Sequence, residues 1–492
     1  MTRLCGATVR DLPGDVATPG YDRAKTSVGI VHLGNGAFHK AHEAVYTDDV
    51  LAQGATDWAI MGVSLRNPRV PDAMAPQDGL YTVIERGAAA ERLRVIGAIT
   101  EVAFAPADRA CVLDRMADPN VGIVSLTVTE KGYCHDPATG RLDADHPDIA
   151  HDLSHLERPL SAVGYLVAAL ARRKIAAMAP FTVLCCDNVP ANGKTLRGIV
   201  LDFAGRVDAG LAAWIEESCA FPSTMVDRIV PATTGDDLSV LAARLGVRDE
   251  AAVLCEPFCQ WVIEDSFVRG RPAWEDAGAE MVADVAPYEV MKLRLLNGSH
   301  STLAYLGYLA GFETVAETMA APAFATFIRR LMDEEVTPTL DVPAGADLAA
   351  YKSALIERFA NPALRHRNWQ IAMDGSQKLP QRLLGTIRDR LAAGGRIQRL
   401  ALGVAAWMRY ATGIDEAGRM IEVSDPLSER LLRIGREAKG EPLALMEAML
   451  ALGEIFGDDL PRFESFRAAL GSALLGLYEI GARRMVEESN GV

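Results

Sequence analysis

The pattern of the chain changes at Pro287, and this change limits the folds open to it. Before Pro287, short runs of β-branched and aliphatic residues alternate with helical stretches; after it, long amphipathic helices follow one another. Strands that alternate with helices are typical of a parallel sheet covered by helices, whereas amphipathic helices bury their apolar faces against one another. The sequence therefore predicts an α/β N-terminal domain over residues 1–285 and a mostly α-helical C-terminal domain over 286–492.

A glycine turn follows the first predicted strand, SVGIVHL at residues 27–33. The turn is Gly34-Asn35-Gly36, and a helical stretch comes directly after it. Glycines at such a turn let the backbone approach a pyrophosphate, and the helix N-terminus adds N–H donors and partial positive charge. His39 occupies the place of the usual third glycine, so an ordinary turn after a strand also fits. We predict a Rossmann-type dinucleotide-binding unit with this turn as its cofactor site.

The end of the second predicted strand, WAIMGVSL at residues 58–65, bears on the choice of cofactor. An Asp or Glu usually reads the ribose hydroxyls of NAD at this place, but the chain has Arg66 and Asn67. Arg66 either favours the 2′-phosphate of NADP or is a solvated surface residue. We predict NAD as the cofactor and keep NADP as an alternative.

Polar residues follow two further buried strands. Glu130 comes after VGIVSLTVT at 121–129, and Asn188 comes after FTVLCC at 181–186. Open α/β sheets bind ligands at the carboxyl ends of their strands, so both residues are candidates for the active site. Asn188 is equally typical of a turn beside Pro and Gly. Asp227 and Arg228 lie inside a fifth run, MVDRIVP, where a structural ion pair is the alternative.

The first helix after the change of pattern, predicted over 287–311, is apolar but carries Lys292, Asn297 and His300. At about 100° per residue the three side chains project into one sector of the helix. Buried polar groups without partners are costly, so these residues require an explanation. The alternative to catalysis is that Lys292 reaches solvent, Asn297 caps a kink at Gly298 and His300 is a hydrogen-bonded core imidazole.

Interconversion of a ketone and an alcohol by hydride transfer needs a bound nicotinamide, a proton donor or acceptor and donors that stabilise an alkoxide-like oxygen. Lys292 suits the proton transfer if burial lowers its pKa. The amide groups of Asn297 and Asn188 can donate hydrogen bonds to the oxyanion, and His300 can bind substrate hydroxyls. Glu130 can relay the proton to bulk water.

Composition and charge limit the classes of molecule that this protein is expected to bind. The net charge of −15 argues against a nucleic-acid partner. We find no signal peptide and no apolar run of the roughly 18–20 residues that would span a membrane. The eight cysteines lack the spacing of a zinc site. We therefore expect a cytoplasmic protein without a metal, acting on a small molecule.

Several motifs occur in one order along nearly the whole chain: GIVHLGNGAFHKAH at 29–42, SLTVTEKGY at 125–133, CDNVPANG at 186–193, STMVDRIVP at 223–231, and K-x4-N-x2-H at Lys292, Asn297 and His300. With these motifs the chain resembles the mannitol dehydrogenase family, the polyol-specific long-chain dehydrogenases and reductases. The resemblance implies a Rossmann-type domain followed by a helical substrate domain, metal-independent oxidoreduction and a monomer. It also implies that Lys292 is the general acid/base. Phe38, of the GxGxF pattern, and Asp227 would lie near the cofactor.

The segment HRNWQIAMDGSQKLPQRLL at 366–384 separates branches within this family. Mannitol-oxidising members commonly have an Arg where this chain has Gln370, whereas Lys378 is retained. The segment is most similar to the fructuronate reductase branch, which interconverts D-fructuronate and D-mannonate. The resemblance implies that Lys378 or Arg382 pairs with the substrate carboxylate; interdomain ion pairs are the alternative.

Two other functions stay open from the sequence. One is a mannitol 2-dehydrogenase or related polyol dehydrogenase, acting on D-fructose and D-mannitol, on D-arabinitol or on tagaturonate. The other, of a different class, is a catalytically silent dinucleotide-binding protein. The complete set of lysine, asparagine and histidine on one helix favours an enzyme over the silent protein.

Overall fold

The computed structural model describes residues 1–88, 90–136, 140–343 and 345–491. The chain divides into two compact units, Met1–Ala286 and Pro287–Val492. The first unit combines sheets with helices, and the second is built from helices. Within the described ranges, no helix is both long enough and apolar enough to cross a membrane.

In the part of the first unit that the structure describes, twelve strands form the sheets. They are β1 (Val16–Ala17), β2 (Val28–Leu33), β3 (Ala59–Ser64), β4 (Tyr81–Arg86), β5 (Glu91–Ile96), β6 (Ile99–Phe104), β7 (Ile123–Leu126), β8 (Thr182–Cys185), β9 (Thr224–Asp227), β10 (Val253–Cys255), β11 (Gln260–Glu264) and β12 (Glu280–Val282).

The central sheet has five parallel strands in the order β6-β3-β2-β7-β8. Every residue of β2, β3, β7 and β8 is buried, which explains why these strands read as continuous apolar runs rather than alternating ones. The order reverses between β2 and β7, and ligands bind at such a reversal in open α/β sheets. The prediction of a Rossmann-type α/β domain is confirmed.

Two smaller sheets complete the first unit. One has the order β1-β5-β4-β10 and the other the order β12-β11-β9. The stretch 93–104 is divided between two sheets. Strand β5 pairs antiparallel with β4, but β6 joins the central sheet in parallel beside β3. Gly97 separates the two strands, and a Cβ there would stand 2.7 Å from the Pro19 ring, so a side chain would obstruct this change of sheet.

Helices cover the sheets of the first unit: α1 (Ala37–Ala41), α2 (Glu43–Ala52), α3 (Arg69–Met74), α4 (Ala105–Ala117), α5 (Pro147–Ser154), α6 (Ala162–Ile175), α7 (Asn192–Val207), α8 (Ala209–Ser218) and α9 (Gly235–Leu245). Helices α4, α6, α7 and α8 enclose an apolar core on one face of the central sheet. The other face packs on a second core that includes Trp261 and Trp274.

The second unit begins within α10 (Ala286–Met291), which contains Pro287 in its first turn. Its further helices are α11 (Ser299–Leu309), α12 (Val315–Ala320), α13 (Pro322–Arg330), α14 (Leu348–Phe359), α15 (Asn368–Ala372), α16 (Gly375–Leu379), α17 (Gly385–Ala392), α18 (Gln398–Ala411), α19 (Ser428–Glu437), α20 (Pro442–Leu450), α21 (Gly453–Phe456), α22 (Glu464–Glu479) and α23 (Gly481–Ser489). Helices α11, α18 and α22 form its centre. Gly403 of α18 allows a close approach to α11, since a Cβ there would stand 2.8 Å from Thr302 Oγ1.

The predicted continuous helix over 287–311 is interrupted. Residues Lys292–Gly298 form a π-helical segment between α10 and α11. A second π-helical segment, Pro380–Leu384, packs against it: a Cβ at Gly298 would stand 2.8 Å from the Arg382 carbonyl oxygen. The i→i+5 bonding of a π segment widens the turn, so the projection at 100° per residue does not hold here. Such segments occur frequently at functional sites.

Candidate active site

The glycine turn after β2 is held by backbone contacts on both sides. The N–H groups of Gly34 and Asn35 donate to the Val63 carbonyl oxygen over 2.8 and 3.1 Å. Gly34 has φ +101°, and an added Cβ would overlap the carbonyl oxygen of Thr127. Only glycine fits this position, because the backbone lies in the left-handed region and approaches the end of β7 closely.

Gly36 is the N-cap residue of α1, and it offers no side chain to the first amides of that helix. An anion at this place would accept hydrogen bonds from those amides, so the turn fits the pyrophosphate of a dinucleotide. Phe38 is half-buried and stacks on His42 with 4.9 Å between ring centroids. The aromatic residue of the motif thus packs within the first unit beside the turn.

Arg66 lies beyond β3 and is exposed, and its guanidinium forms an ion pair with Asp148 in the first turn of α5. The partner is 82 residues away in sequence, so sequence reasoning did not anticipate it. An arginine already engaged by a carboxylate fits the alternative of a surface residue better than that of a 2′-phosphate ligand.

We therefore predict that Arg66→Ala leaves cofactor choice nearly unchanged. An exposed ion pair contributes at most about 1 kcal/mol, so the ratio of kcat/KM for NADP to that for NAD should change by less than about fivefold. Steady-state kinetics with both cofactors measure this ratio, and Asp148→Asn is the matched control. A selective loss of NADP activity of about tenfold or more would instead assign Arg66 to the 2′-phosphate.

The structure brings Glu130 and Asn188 to one edge of the central sheet, because β7 and β8 are adjacent and parallel. Glu130 begins a 3₁₀ turn and is half-buried, and Asn188 is exposed. Asp187, which sequence reasoning missed, joins the two loops. Its carboxylate accepts hydrogen bonds from the N–H groups of Val128 and Thr129 at 2.8 and 3.0 Å. Its position directly after a buried strand was the available signal.

Asp227 is buried at the end of β9, in the three-stranded sheet. The neighbouring Arg228 forms an ion pair with Glu85 at 2.5 Å. It also donates to the carbonyl oxygens of Ala41 and Glu256 at 2.6 and 3.0 Å. Arg228 therefore joins three segments of the first unit.

On the second unit, Lys292, Asn297 and His300 are all buried. Asn297 Nδ2 and His300 Nε2 have no hydrogen-bond partner among the described residues. A buried polar atom without a partner costs free energy unless a ligand supplies one. The two unpartnered atoms therefore suit hydroxyl or carbonyl oxygens of a substrate, and they disfavour the alternative of a hydrogen-bonded core imidazole.

His300 is enclosed by rings and cations. It stacks on Phe359 with 5.2 Å between centroids and meets the edge of His366 at 4.9 Å. Burial, together with the charges of His366, Arg382 and Arg358, lowers the pKa of His300 well below its usual value. The ring is consequently a neutral imidazole with one donor and one acceptor, as contact with hydroxyl groups requires.

Lys378 and Arg382 lie in the same region of the second unit. Lys378 Nζ donates to the Met373 carbonyl oxygen at 2.5 Å, and Arg382 donates to Ser301 Oγ at 3.0 Å. Burial and the charge of Arg382 lower the pKa of Lys378 to about 8, and burial lowers the pKa of Arg382 to about 10. Neither forms an ion pair with a described carboxylate. Two such cations favour binding of an anion.

Gln370, in contrast, is an exposed residue of α15. Sequence reasoning also missed Arg358, buried in α14, and His366, whose charge effects reach His300. His366 lies in the segment that resembles the fructuronate reductase branch, which was the available signal. Arg358 gave none, because an arginine on an amphipathic helix ordinarily faces solvent.

The fold and these residues define a protein with an N-terminal Rossmann-type domain and a separate helical domain that carries a buried lysine, asparagine and histidine. Residues 28–276 match the family model "Mannitol dehydrogenase Rossmann domain", and residues 284–478 match "Mannitol dehydrogenase C-terminal domain". The chain belongs to the mannitol dehydrogenase family. The resemblance noted from the sequence motifs is confirmed.

Three relatives place the chain within the family. It is 51% identical over 484 residues to D-mannonate oxidoreductase of Escherichia coli (strain K12), covering 97% of this chain and 99% of that one. It is 44% identical to mannitol 2-dehydrogenase of Pyrenophora tritici-repentis, covering 96% and 84%. The Pseudomonas fluorescens mannitol 2-dehydrogenase in ternary complex with NAD and D-mannitol is similar with a TM-score of 0.91 and 40% identity, covering 99% of both chains.

Proposed function

We propose that this chain is an NAD-dependent oxidoreductase that interconverts D-fructuronate and D-mannonate. The most extensive support is the similarity to an enzyme named D-mannonate oxidoreductase. NAD is proposed because the similar Pseudomonas fluorescens enzyme is described with NAD and because the turn after β2 fits a pyrophosphate. When bound, the dinucleotide supplies or accepts the hydride.

One observation carries the choice of a sugar acid over a neutral sugar: Lys378 and Arg382, near His300, have no carboxylate partner in the part of the chain that the structure describes. A substrate carboxylate would compensate both charges through charge-assisted hydrogen bonds. A neutral polyol would bring no negative charge to this partly desolvated site, where Asp374 and Asp425 offset the charge of Lys378 only in part.

The remaining roles in the proposal concern proton transfer and charge. Lys292 takes the proton from the hydroxyl group during oxidation and returns it during reduction. Asn297 and Asn188 donate hydrogen bonds to the developing oxyanion. His300, as a neutral imidazole, contacts substrate hydroxyls, and Glu130 passes the proton towards solvent.

A polyol dehydrogenase is the second candidate, since mannitol 2-dehydrogenases are also similar over nearly the whole chain. Assays of the purified protein with D-fructuronate, tagaturonate, D-fructose and D-mannitol, each with the NAD and NADP couples, distinguish the two. We expect D-fructuronate reduction with NADH to have the highest kcat/KM. D-Fructose reduction that exceeds it by a wide margin would favour the polyol dehydrogenase, and no turnover of any substrate would favour a silent dinucleotide-binding protein.

The pH dependence of substrate selection provides a test of Lys378. Its pKa of about 8 means that the ammonium is present below this pH and lost above it. The ratio of kcat/KM for D-fructuronate to that for D-fructose should therefore fall as pH rises through about 8. The titration of groups that act on both substrates changes both kcat/KM values alike and therefore cancels in this ratio. Lys378→Arg stays charged and should keep the ratio constant to higher pH; a ratio independent of pH in the unmodified enzyme would contradict the role.

A further inference from the structure

A buried polar cluster lies directly beneath the glycine turn of the first unit. His32 and Glu43 are 0% and 1% exposed, and His32 Nδ1 lies 3.0 Å from Glu43 Oε2. The two ring nitrogens of His32 also meet hydroxyl groups: Nδ1 is 2.8 Å from Ser125 Oγ, and Nε2 is 2.7 Å from Thr127 Oγ1. None of these four side chains has a role in the proposed proton transfer.

The proton on each hydroxyl group is already committed. Ser125 Oγ donates to Glu43 Oε1 at 2.8 Å, since an ionised carboxylate only accepts. Thr127 Oγ1 donates to the carbonyl oxygen of Gly34 at 2.8 Å, which likewise only accepts. A hydroxyl group has a single proton, so both oxygens must accept from His32. Both ring nitrogens of His32 therefore carry a proton, and the ring is an imidazolium paired with the Glu43 carboxylate.

Placing the proton on Glu43 instead would make His32 Nδ1 an acceptor. The Oε2–H of Glu43 could donate to that lone pair, but Nδ1 would then also face Ser125 Oγ across 2.8 Å, lone pair against lone pair, because the Ser125 proton is directed at Glu43 Oε1. Burial alone would raise the pKa of Glu43, but the charge and hydrogen bond of His32 lower that pKa well below its usual value. The ionised carboxylate fits the geometry and the electrostatics together.

The other groups around His32 are compatible with this charge. His39 stacks on His32 with 3.4 Å between centroids and 13° between planes, and burial lowers the pKa of His39 to about 4, so it is neutral. Burial raises the pKa of the Asp187 carboxyl, and its hydrogen bonds and the charge of His32 oppose this shift. A metal ion shared by His32 and His39 fits poorly, because the in-plane lone pairs of nearly parallel rings do not converge.

The cluster ends at the glycine turn. The Gly34 carbonyl oxygen accepts from Thr127 Oγ1 and also from the Gly36 N–H at 2.6 Å, which sets the N-cap conformation of Gly36. We infer that His32 is a positioning residue, protonated on both ring nitrogens, that acts through Thr127 to hold the glycine turn in the conformation that binds the dinucleotide. This inference rests on the proposed function, because it assumes that the turn binds a dinucleotide.

The protonation state is measurable without any ligand. In protein labelled with ¹⁵N-histidine, long-range ¹H–¹⁵N correlation spectra at pH 8 should show one ring with both nitrogens protonated. That ring should be the one whose signals move in Thr127→Val. A spectrum in which every histidine has one unprotonated nitrogen at this pH would overturn the charged state.

The positioning role is tested by dinucleotide affinity. A lost hydrogen bond is worth about 1 kcal/mol, so Thr127→Val should raise the Kd for NAD about fivefold, while kcat at saturating NAD changes less than about twofold. His32→Gln should raise the Kd further, by about tenfold or more, because it removes the two ring N–H donors and the positive charge that faces Glu43. His151→Gln, which removes a half-exposed histidine 3.0 Å from Asp152, is the matched control and should bind NAD normally.

The outcomes separate the inference from the proposed function. If the unmodified protein binds NAD and both variants bind it equally well, the positioning role is wrong and the proposed function stands. If the unmodified protein binds neither NAD nor NADP, the proposed function fails, while the spectra still decide the protonation of His32. Thr127→Val keeps the test valid if His32→Gln does not fold.

Discussion

Replacing Lys292 with alanine should lower kcat by about 10²- to 10⁴-fold, the usual contribution of a general acid or base. The affinity for NAD should change little, because the substitution leaves the glycine turn and the rest of the first unit unaltered. Stopped-flow or steady-state kinetics give kcat, and fluorescence titration gives the Kd for NADH. Added primary amines should restore part of the activity, since a small amine can take the place of the missing side chain as proton acceptor.

Lys25→Ala is the control for this experiment. Lys25 is an exposed lysine near the N-terminus whose ion pair with Asp22 contributes little, so kcat should be unaffected. If Lys292→Ala retains most of its activity, or if added amines have no effect on a strongly impaired variant, Lys292 is not the acid/base. The buried Asn297 and His300 would then need a different interpretation.

The second large effect concerns the ion pair of His32 and Glu43. Removing one member of a buried pair leaves the other uncompensated, so Glu43→Gln should lower the free energy of unfolding by about 3–5 kcal/mol. His32→Gln should have a similar effect, and the double variant should lose less than the sum of the two. Urea unfolding at pH 7, followed by circular dichroism, measures all three.

The dependence on pH provides an independent check. The folded-state pKa of Glu43 is lowered, so its stabilising charge is present above the pKa of an unfolded carboxyl and is lost as pH falls through the folded-state value. The gap between the unmodified protein and Glu43→Gln should therefore narrow as pH falls into the acid range. His151→Gln should cost less than about 1 kcal/mol, because His151 is half-exposed and the buried Asp152 keeps its hydrogen bonds from Leu160 and Ser161. Losses that simply add in the double variant would show that the two residues do not interact.

Local pattern was sufficient for much of the fold and for part of the candidate site. Buried parallel strands appear in the sequence as apolar runs, and the φ of +101° at position 34 requires a glycine. Both features can therefore be recognised from the local sequence alone. The family motifs also lie within short segments, so they too can be recognised from the local sequence. The lysine, asparagine and histidine after Pro287 were visible because polar residues are unusual on so apolar a helix.

Tertiary structure decided which groups meet. The π-helical segment Lys292–Gly298 packs on a segment about 85 residues later. Arg66 is engaged by Asp148, 82 residues away. His32 is protonated on both nitrogens because hydroxyl groups 93 and 95 residues later already donate elsewhere. Periodicity reports which face of an element is buried, but hydrogen bonds and charges between distant segments depend on how the elements pack. The sequence by itself therefore determined the architecture and the family, and the packing decided the partners and charge states of the polar residues.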